Sequence, residues 1–306
     1  MARPGGDAPA LVMLAAGMAK RYGGPKPLAP VGLHGEALVD VAASDAMAAG
    51  FGEIVVVLGP HSGPAIAYHL ARSWPPSVPV SVAEQTVPLG TAHAALCARR
   101  AVGDRPFALV NADDVYGTAA LAELCAHLRA GEDHANVLYR LEHTVLTDDP
   151  VTRAACTVTP DGWLAAMVER KHVHRDGDGG FVADDGKEPA ALAPDTLVSV
   201  NLWGIQPALW PVLVAAVTAV HPAVGPDGTV TGDLAGDEEV LLPEVVGAMV
   251  EGRAPDGSAP QRVRALRTDG RCIGVTHAED LAVARTELAL MVGTGERAER
   301  LWSGPG

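Results

Sequence analysis

The chain has 306 residues, of which 48 % are apolar and only 4 % aromatic, and its formal charge is −14. That is enough chain to bury the core of one large α/β domain, and the acidic balance with few aromatic residues argues against a nucleic-acid surface, which needs basic stripes and stacking platforms. No apolar run approaches the roughly 18 residues that span a bilayer, and too little hydrophobic sequence precedes Leu11 for a secretory signal. Cys97, Cys125, Cys156 and Cys272 lack disulfide or metal-ligand spacing, so a cytoplasmic protein with no membrane partner is expected.

Residues 11–14 (LVML) read as a buried strand, and Ala15, Ala16 and Gly17 are small enough to let backbone N–H groups approach an anion. Lys20, Arg21 and Lys26 follow within one loop, and residues 8–35 contain no Asp or Glu. A positive loop in a negative chain suits a phosphate, because attraction follows the local field and not the net charge. Residues 37–49 have helical spacing and stop at Gly50. Residues 54–58 form a continuous, mostly β-branched run, the pattern of a parallel strand buried on both faces. Residues 65–74 read as a helix closed by Pro75 and Pro76, and 78–83 as the next strand. This alternation predicts a doubly wound α/β fold, whose ligands lie beyond the carboxyl ends of the strands.

In residues 84–95 (EQTVPLGTAHAA), Gly90 permits close backbone approach and Thr91 is suited to cap the following helix. In 107–117 (FALVNADDVYG), a strand runs into Asp113 and Asp114, where carboxylates can hold a hard cation such as Mg²⁺ or cap the helix at 119–130. A strand is expected at 137–141, a loop at 145–154, and a hairpin of 155–158 with 164–168 across Pro160-Asp161-Gly162, which delivers Glu169, Arg170 and Lys171. Residues 174–188 are polar and Gly-rich, as in a mobile surface flap. Residues 197–205 read as a strand whose Asn201 needs a partner if buried. Helices at 210–220 and 241–250, a loop at 222–237 and a closing hairpin of 263–266 with 272–275 complete the chain. Thr276 and Glu279 form a capping box for the last helix.

The L-A-A-G turn, Arg21 and the P-K-P-L segment together resemble the signature loop of the nucleotidyltransferases that join a nucleoside triphosphate to a sugar 1-phosphate. The resemblance implies that Leu14, Ala15, Ala16 and Gly17 wrap the triphosphate, that Arg21 assists pyrophosphate departure and that Lys26 holds the phosphates. Ala19 stands where that family has a second glycine, and the short Arg-to-Lys interval is similar to that of enzymes transferring GMP to molybdopterin. The segment Gln-x-x-x-Leu-Gly-Thr-x-His-Ala resembles the base-reading segment of N-acetylglucosamine-1-phosphate uridylyltransferases, and P-L-G-T-A that of mannose-1-phosphate guanylyltransferases. Gln85, Gly90 and Thr91 then face the nucleotide, with UTP expected first and GTP second. Asp113 takes the family's metal position, with Asp114 the weaker candidate, and the implied cofactor is Mg²⁺. Glu169, Lys171 and Asn201 are carried over as contacts to the sugar phosphate. Many relatives have a second metal-binding acid where this chain has Thr276.

The implied fold is a three-layer, Rossmann-like, doubly wound mixed sheet with helices on both faces in a single large domain at 9–295. Its nucleotide-binding half is expected at about 9–130 and its sugar-phosphate half at about 131–295, between a disordered stretch at 1–8 and a tail at 296–306. The resemblance leaves another acceptor open (a molybdopterin, polyol phosphate or phosphonate), as well as a non-catalytic nucleotide-binding protein. The oligomeric state is open, a homodimer included. No β-helix repeat follows the catalytic region.

Overall fold

The computed structural model describes residues 8–17, 23–131, 133–234, 236–275 and 280–302. Strand β1 (Ala10–Ala15) runs parallel to β2 (Glu53–Leu58) on one side and β4 (Phe107–Asn111) on the other, and β3 (Val80–Glu84) extends the sheet beyond β2. The helices α1 (Leu38–Ala48), α2 (Gly63–Ser73) and α3 (Thr91–Val102) lie between these strands in the chain. Every residue of β2 is buried, as its unbroken apolar run predicts. Alternate side chains enter two cores. Leu11, Met13, Ile54 and Val56 pack toward α1, α2 and α4 (Thr118–Ala130), while Ala10, Val12, Val55 and Val57 pack toward α3, α5 (Trp210–Val220) and α6 (Leu242–Val250). The result is the expected mixed sheet with helices on both faces.

After β5 (Asp114–Val115) and α4 come β6 (His134–Arg140), β7 (Val151–Val158), β8 (Leu164–Arg175), β9 (Phe181–Ala183), β10 (Ala191–Leu192) and β11 (Leu197–Ile205). The order across the large sheet is β10-β9-β8-β7-β11-β4-β1-β2-β3, with β6 on β11 and β12 (Val263–Thr268) on β6. β11 is the joint. Val198 and Ser199 pair with β7, whereas Trp203 to Ile205 pair with β4. The register breaks between Ser199 and Trp203, where Asn201 adopts φ 64°. Such a left-handed residue re-aims the strand, as a bulge does. The last helix, α7, is Asp280–Gly293.

Three sequence expectations need correction. The loop placed at 145–154 ends early because Val151 already pairs with Val173. The flap at 174–188 is built into the sheet: β8 reaches Arg175 and pairs with β9. What holds it is a buried ion pair, in which the Arg170 guanidinium donates to both Asp185 oxygens at 2.8 and 3.1 Å and to the Lys187 and Pro189 carbonyls at 2.9 Å each. The closing hairpin does not exist. β12 runs parallel to β6, and β13 (Ile273–Gly274) pairs with β5 in a separate ribbon. Thr276 and Glu279, with the proposed capping box, lie outside the described residues. Near the end of the chain Arg297 donates to Asp45 at 2.7 Å, and the Trp302 and Trp74 rings lie 5.4 Å apart. Among the described residues, no helix is long and apolar enough to cross a membrane.

Candidate active site

The site grows from the carboxyl ends of β1 and β4. Ala15 is buried, Ala16 half-buried and Gly17 exposed, and a Cβ at Gly17 would have open space around it. β2 ends tightly under this turn, since a Cβ on Gly59 would lie 2.5 Å from the Ala16 carbonyl. Arg21, with Lys20, falls outside the described residues. Lys26 opens a 3₁₀ turn, Lys26–Leu28, and its ammonium lies 3.5 Å from Asp113 Oδ2. Burial pushes the Asp113 carboxyl up from the ordinary carboxylate range, and the Lys26 charge opposes that rise.

Asp114 turns the other way, as successive residues of an extended chain do. Its Oδ2 accepts from Asn111 Nδ2 at 2.9 Å and lies 3.3 Å from the Tyr116 hydroxyl. The same hydroxyl accepts the Asn111 N–H at 3.0 Å and lies 3.1 Å from the Val200 carbonyl at the break in β11. Burial first, and then the neighbouring Asp113 charge, push Asp114 up to about 6. Two adjacent carboxyls that burial pushes up, one raised further by the other's charge and only one of them facing a lysine, fit a cation. Among the described residues no group of three or more His, Cys, Asp or Glu has metal-binding geometry, and these two carboxylates are the pair that faces the site.

Asp114 and Asn111 open onto a cleft of about 420 Å³, which Glu169 and Asn201 also line. Asn201 Oδ1 accepts from Trp203 Nε1 at 3.2 Å, which supplies the protein partner its half-buried amide needs. Glu169 lies in β8, opposite Ala154 of β7. Lys171, two residues on, is 61 % exposed, with its ammonium 3.5 Å from Glu169. It is not among the lining residues.

Gln85, Gly90 and Thr91 form a second group at the end of β3. Gln85 is buried and borders a separate recess of about 280 Å³ with Leu58, Gly59 and Pro60. Gly90 has φ 92°, and a Cβ there would lie 2.4 Å from the Val240 carbonyl. Thr91 is the first residue of α3, not its cap. Its hydroxyl accepts the Leu242 N–H at 2.8 Å, while the cap position is Gly90.

Sequence reasoning missed the far wall of the cleft. Arg153 enters it from β7, held by bonds from Nε to Thr144 Oγ1 at 3.0 Å and from Nη2 to the Thr144 carbonyl. Glu244, Glu251 and Arg253 enter it from α6 and its end. A single arginine in an expected loop gave no signal. The α6 run PEVVGAMVEGR did carry one, since Gly247 leaves its helix face open, with nothing within 4 Å of a Cβ.

Residues 11–223 match the family model of the MobA-like NTP transferase domain. Solved structures match over nearly the whole chain. They include a UDP-glucose pyrophosphorylase complexed with UDP-glucose (16 % identity, 92 % of this chain and 99 % of that one, TM-score 0.60) and a UTP-bound UGPase from Acinetobacter baumannii (16 %, 92 % and 94 %, TM-score 0.58). Another is HddC from Yersinia pseudotuberculosis complexed with GMP-PN (14 %, 91 % and 98 %, TM-score 0.57). At these identities the likeness is one of fold. No protein of curated function matches the chain.

Proposed function

Because this chain belongs to the MobA-like NTP transferase family, we propose that it condenses a nucleoside triphosphate with a sugar, or sugar-like, 1-phosphate to give a nucleoside-diphosphate sugar and pyrophosphate. The observation that carries this reading is the pair Asp113 and Asp114 at the end of β4, with Lys26 of the 3₁₀ turn 3.5 Å from Asp113 and Asp114 lining a polar cleft of about 420 Å³. Such a volume suits a small phosphorylated ligand.

A phosphate oxygen of the acceptor attacks the α-phosphorus in line. The new O–P bond forms as the bond to the β-phosphate oxygen breaks, and pyrophosphate leaves with that electron pair. No covalent enzyme intermediate is needed, so catalysis is positioning and charge neutralisation. In this reading the backbone from Leu14 to Gly17 cradles the triphosphate, Lys26 neutralises its phosphates, and Arg21 meets the charge that builds on the leaving group. Asp113, with Asp114 beside it, would hold Mg²⁺, which when bound neutralises phosphate oxygens. Glu169, Lys171 and Asn201 serve the acceptor, and Gln85, Gly90 and Thr91 serve the nucleotide.

UTP is the first candidate and GTP the second. The fold neighbours support both, one being UTP-bound and another carrying GMP-PN. Pyrophosphate release from a panel of the four ribonucleoside triphosphates with hexose 1-phosphates tests the proposal. The expected result is release that requires both an acceptor and a divalent cation. A chain that binds a nucleotide yet releases pyrophosphate with no acceptor of the panel would favour a non-catalytic binding protein.

A further inference from the structure

The buried histidine of the G-T-x-H-A segment has no role in the chemistry above. His93 is fully buried in α3. One ring nitrogen, Nε2, lies 2.9 Å from the Gly228 carbonyl, and the other, Nδ1, lies 3.2 Å from Gln85 Nε2. Gln85 Nε2 is also 3.0 Å from the Gly90 carbonyl.

Cys97 Sγ also lies 3.6 Å from Nε2 and 3.9 Å from the Gly228 carbonyl, and one arrangement of protons satisfies the Gly228, Gln85 and Gly90 contacts together. A carbonyl only accepts, so the Gln85 edge facing Gly90 is the NH₂ and not the oxygen. That NH₂ can donate its other hydrogen to His93 Nδ1 when that nitrogen is bare. The ring's one proton sits on Nε2, where the Gly228 carbonyl accepts it. Burial pushes the imidazole below its ordinary range and outweighs the Gly228 and Val87 carbonyls, which favour protonation. A neutral ring is what the chain of bonds needs.

The anchor is fixed in turn. Gly228 (φ 77°) belongs to the 225–229 turn, and a Cβ there would lie 2.7 Å from the Cys97 backbone nitrogen. Arg99 donates to the Pro226 carbonyl at 2.9 Å, and Arg100 pairs with Asp227. The turn is thereby held against the helix that carries His93.

We propose that His93 is a positioning residue for base selection: through the Gly228–His93–Gln85–Gly90 chain it occupies both amide hydrogens of Gln85, so that Gln85 can offer a base only its carbonyl oxygen. This rests on the reading that Gln85 faces the base. Set opposite the base's ring nitrogen, an acceptor-only group reads a ring N–H. Uracil N3 and guanine N1 carry one, whereas cytosine N3 and adenine N1 do not. The relay explains why the two triphosphates already favoured belong to one chemical class.

Two measurements on the full chain decide it. In ¹⁵N-histidine spectra of the free protein at neutral pH, the resonances missing from His93→Asn identify His93. They are expected to report a neutral ring with the proton on Nε2. A proton on Nδ1, or an imidazolium, overturns the relay. The second measurement is kcat/KM for the better of UTP and GTP divided by that for CTP. His93→Leu, which offers Gln85 no acceptor, is expected to lower this ratio at least about tenfold, as Gln85→Ala does. His93→Asn, whose side-chain oxygen can replace Nδ1 as acceptor, is expected to restore most of it. If Gln85→Ala loses selectivity while a folded His93→Leu keeps it, the relay is wrong and the base reading stands. If Gln85→Ala keeps it, the base reading falls and takes the proposal with it. Should His93→Leu fail to fold, the His93→Asn ratio and the spectra still decide.

Discussion

Asp113 and Asp114 stand at the end of the buried strand β4, and Lys26 reaches Asp113 from a 3₁₀ turn, so that the backbone of regular elements carries each group before any ligand arrives. Glu169, Lys171 and Asn201 stand along β8 and β11, where side chains hold one another: Lys171 with Glu169, and Asn201 with Trp203. In the proposed reading the first region supplies a fixed field for a triphosphate, whose chemistry is the same for any acceptor. The second is a cleft whose shape depends on a bulge, a helix end and exchangeable charged pairs, and in the proposed reading it is where acceptor specificity is built.

The strongest test of this contrast sets one carboxylate from each region against the other. Asp113→Asn is expected to lower kcat about a thousandfold, a loss of several kcal/mol of charge stabilisation, with an unchanged circular dichroism spectrum. Glu169→Gln is expected to raise the acceptor KM about tenfold and to leave the triphosphate KM in place. Equal effects on kcat would erase the distinction. Next in size, Lys26→Ala is expected to cost about 10²- to 10³-fold in kcat/KM and to weaken triphosphate binding as well. Arg21→Ala should act chiefly on kcat, because its help is largest when charge builds on the departing pyrophosphate. Single-turnover kinetics separate the two.

Smaller effects come from the seam where the regions touch. Thr91→Val leaves the Leu242 N–H without its acceptor and is expected to cost about 1–3 kcal/mol in urea unfolding. Because α6 also walls the cleft, the acceptor KM should rise in the same variant. Unchanged stability would show that the Leu242 N–H finds another partner.

The two regions also contain acid–arginine pairs of opposite pH response. Asp185, bonded by Arg170 and two backbone N–H groups, is held well below the ordinary carboxylate range. Asp45 is buried beside Arg297, and burial outweighs that charge, raising it from the ordinary 3.8 to about 6. A lowered folded-state value stabilises above the ordinary one and is lost on acidification; a raised value makes stability fall as pH rises between 3.8 and about 6. The cost of Asp185→Asn is therefore expected to be full at pH 7 and to shrink below about pH 4. The cost of Asp45→Asn is expected to grow as pH falls from 7 to 4. Denaturation midpoints of both variants across this range check the signs, and parallel profiles would contradict them.

The first strands were legible because parallel strands buried on both faces spell themselves out, as EIVVVL of β2 does. In the other half the hairpin of β7 with β8 and the strand β11 were legible too, but the long-range partners were not. The segment ERKHVHR of β8 reads as an exposed charged run, yet Arg170 is buried on Asp185, fifteen residues away, a partner that no local pattern announces. The parallel pairing of β12 with β6 is likewise long-range, and the short span from β12 to β13 invites the wrong hairpin. Thr91 shows the same limit in one residue. Its place before a helical run predicts a cap, and only the tertiary contact with Leu242 explains its hydroxyl.

The most direct measurement of the central claim is ³¹P NMR of the wild-type chain with Mg²⁺, UTP and a hexose 1-phosphate, repeated with GTP. Attack at the α-phosphorus predicts loss of the triphosphate and hexose-phosphate signals together, with equal growth of a coupled pair from a diphosphate diester and of pyrophosphate, and no such growth in Asp113→Asn. Growth of orthophosphate with a nucleoside diphosphate would mean attack at the γ-phosphorus, and unchanged signals with every acceptor would mean no transfer; either result contradicts the account.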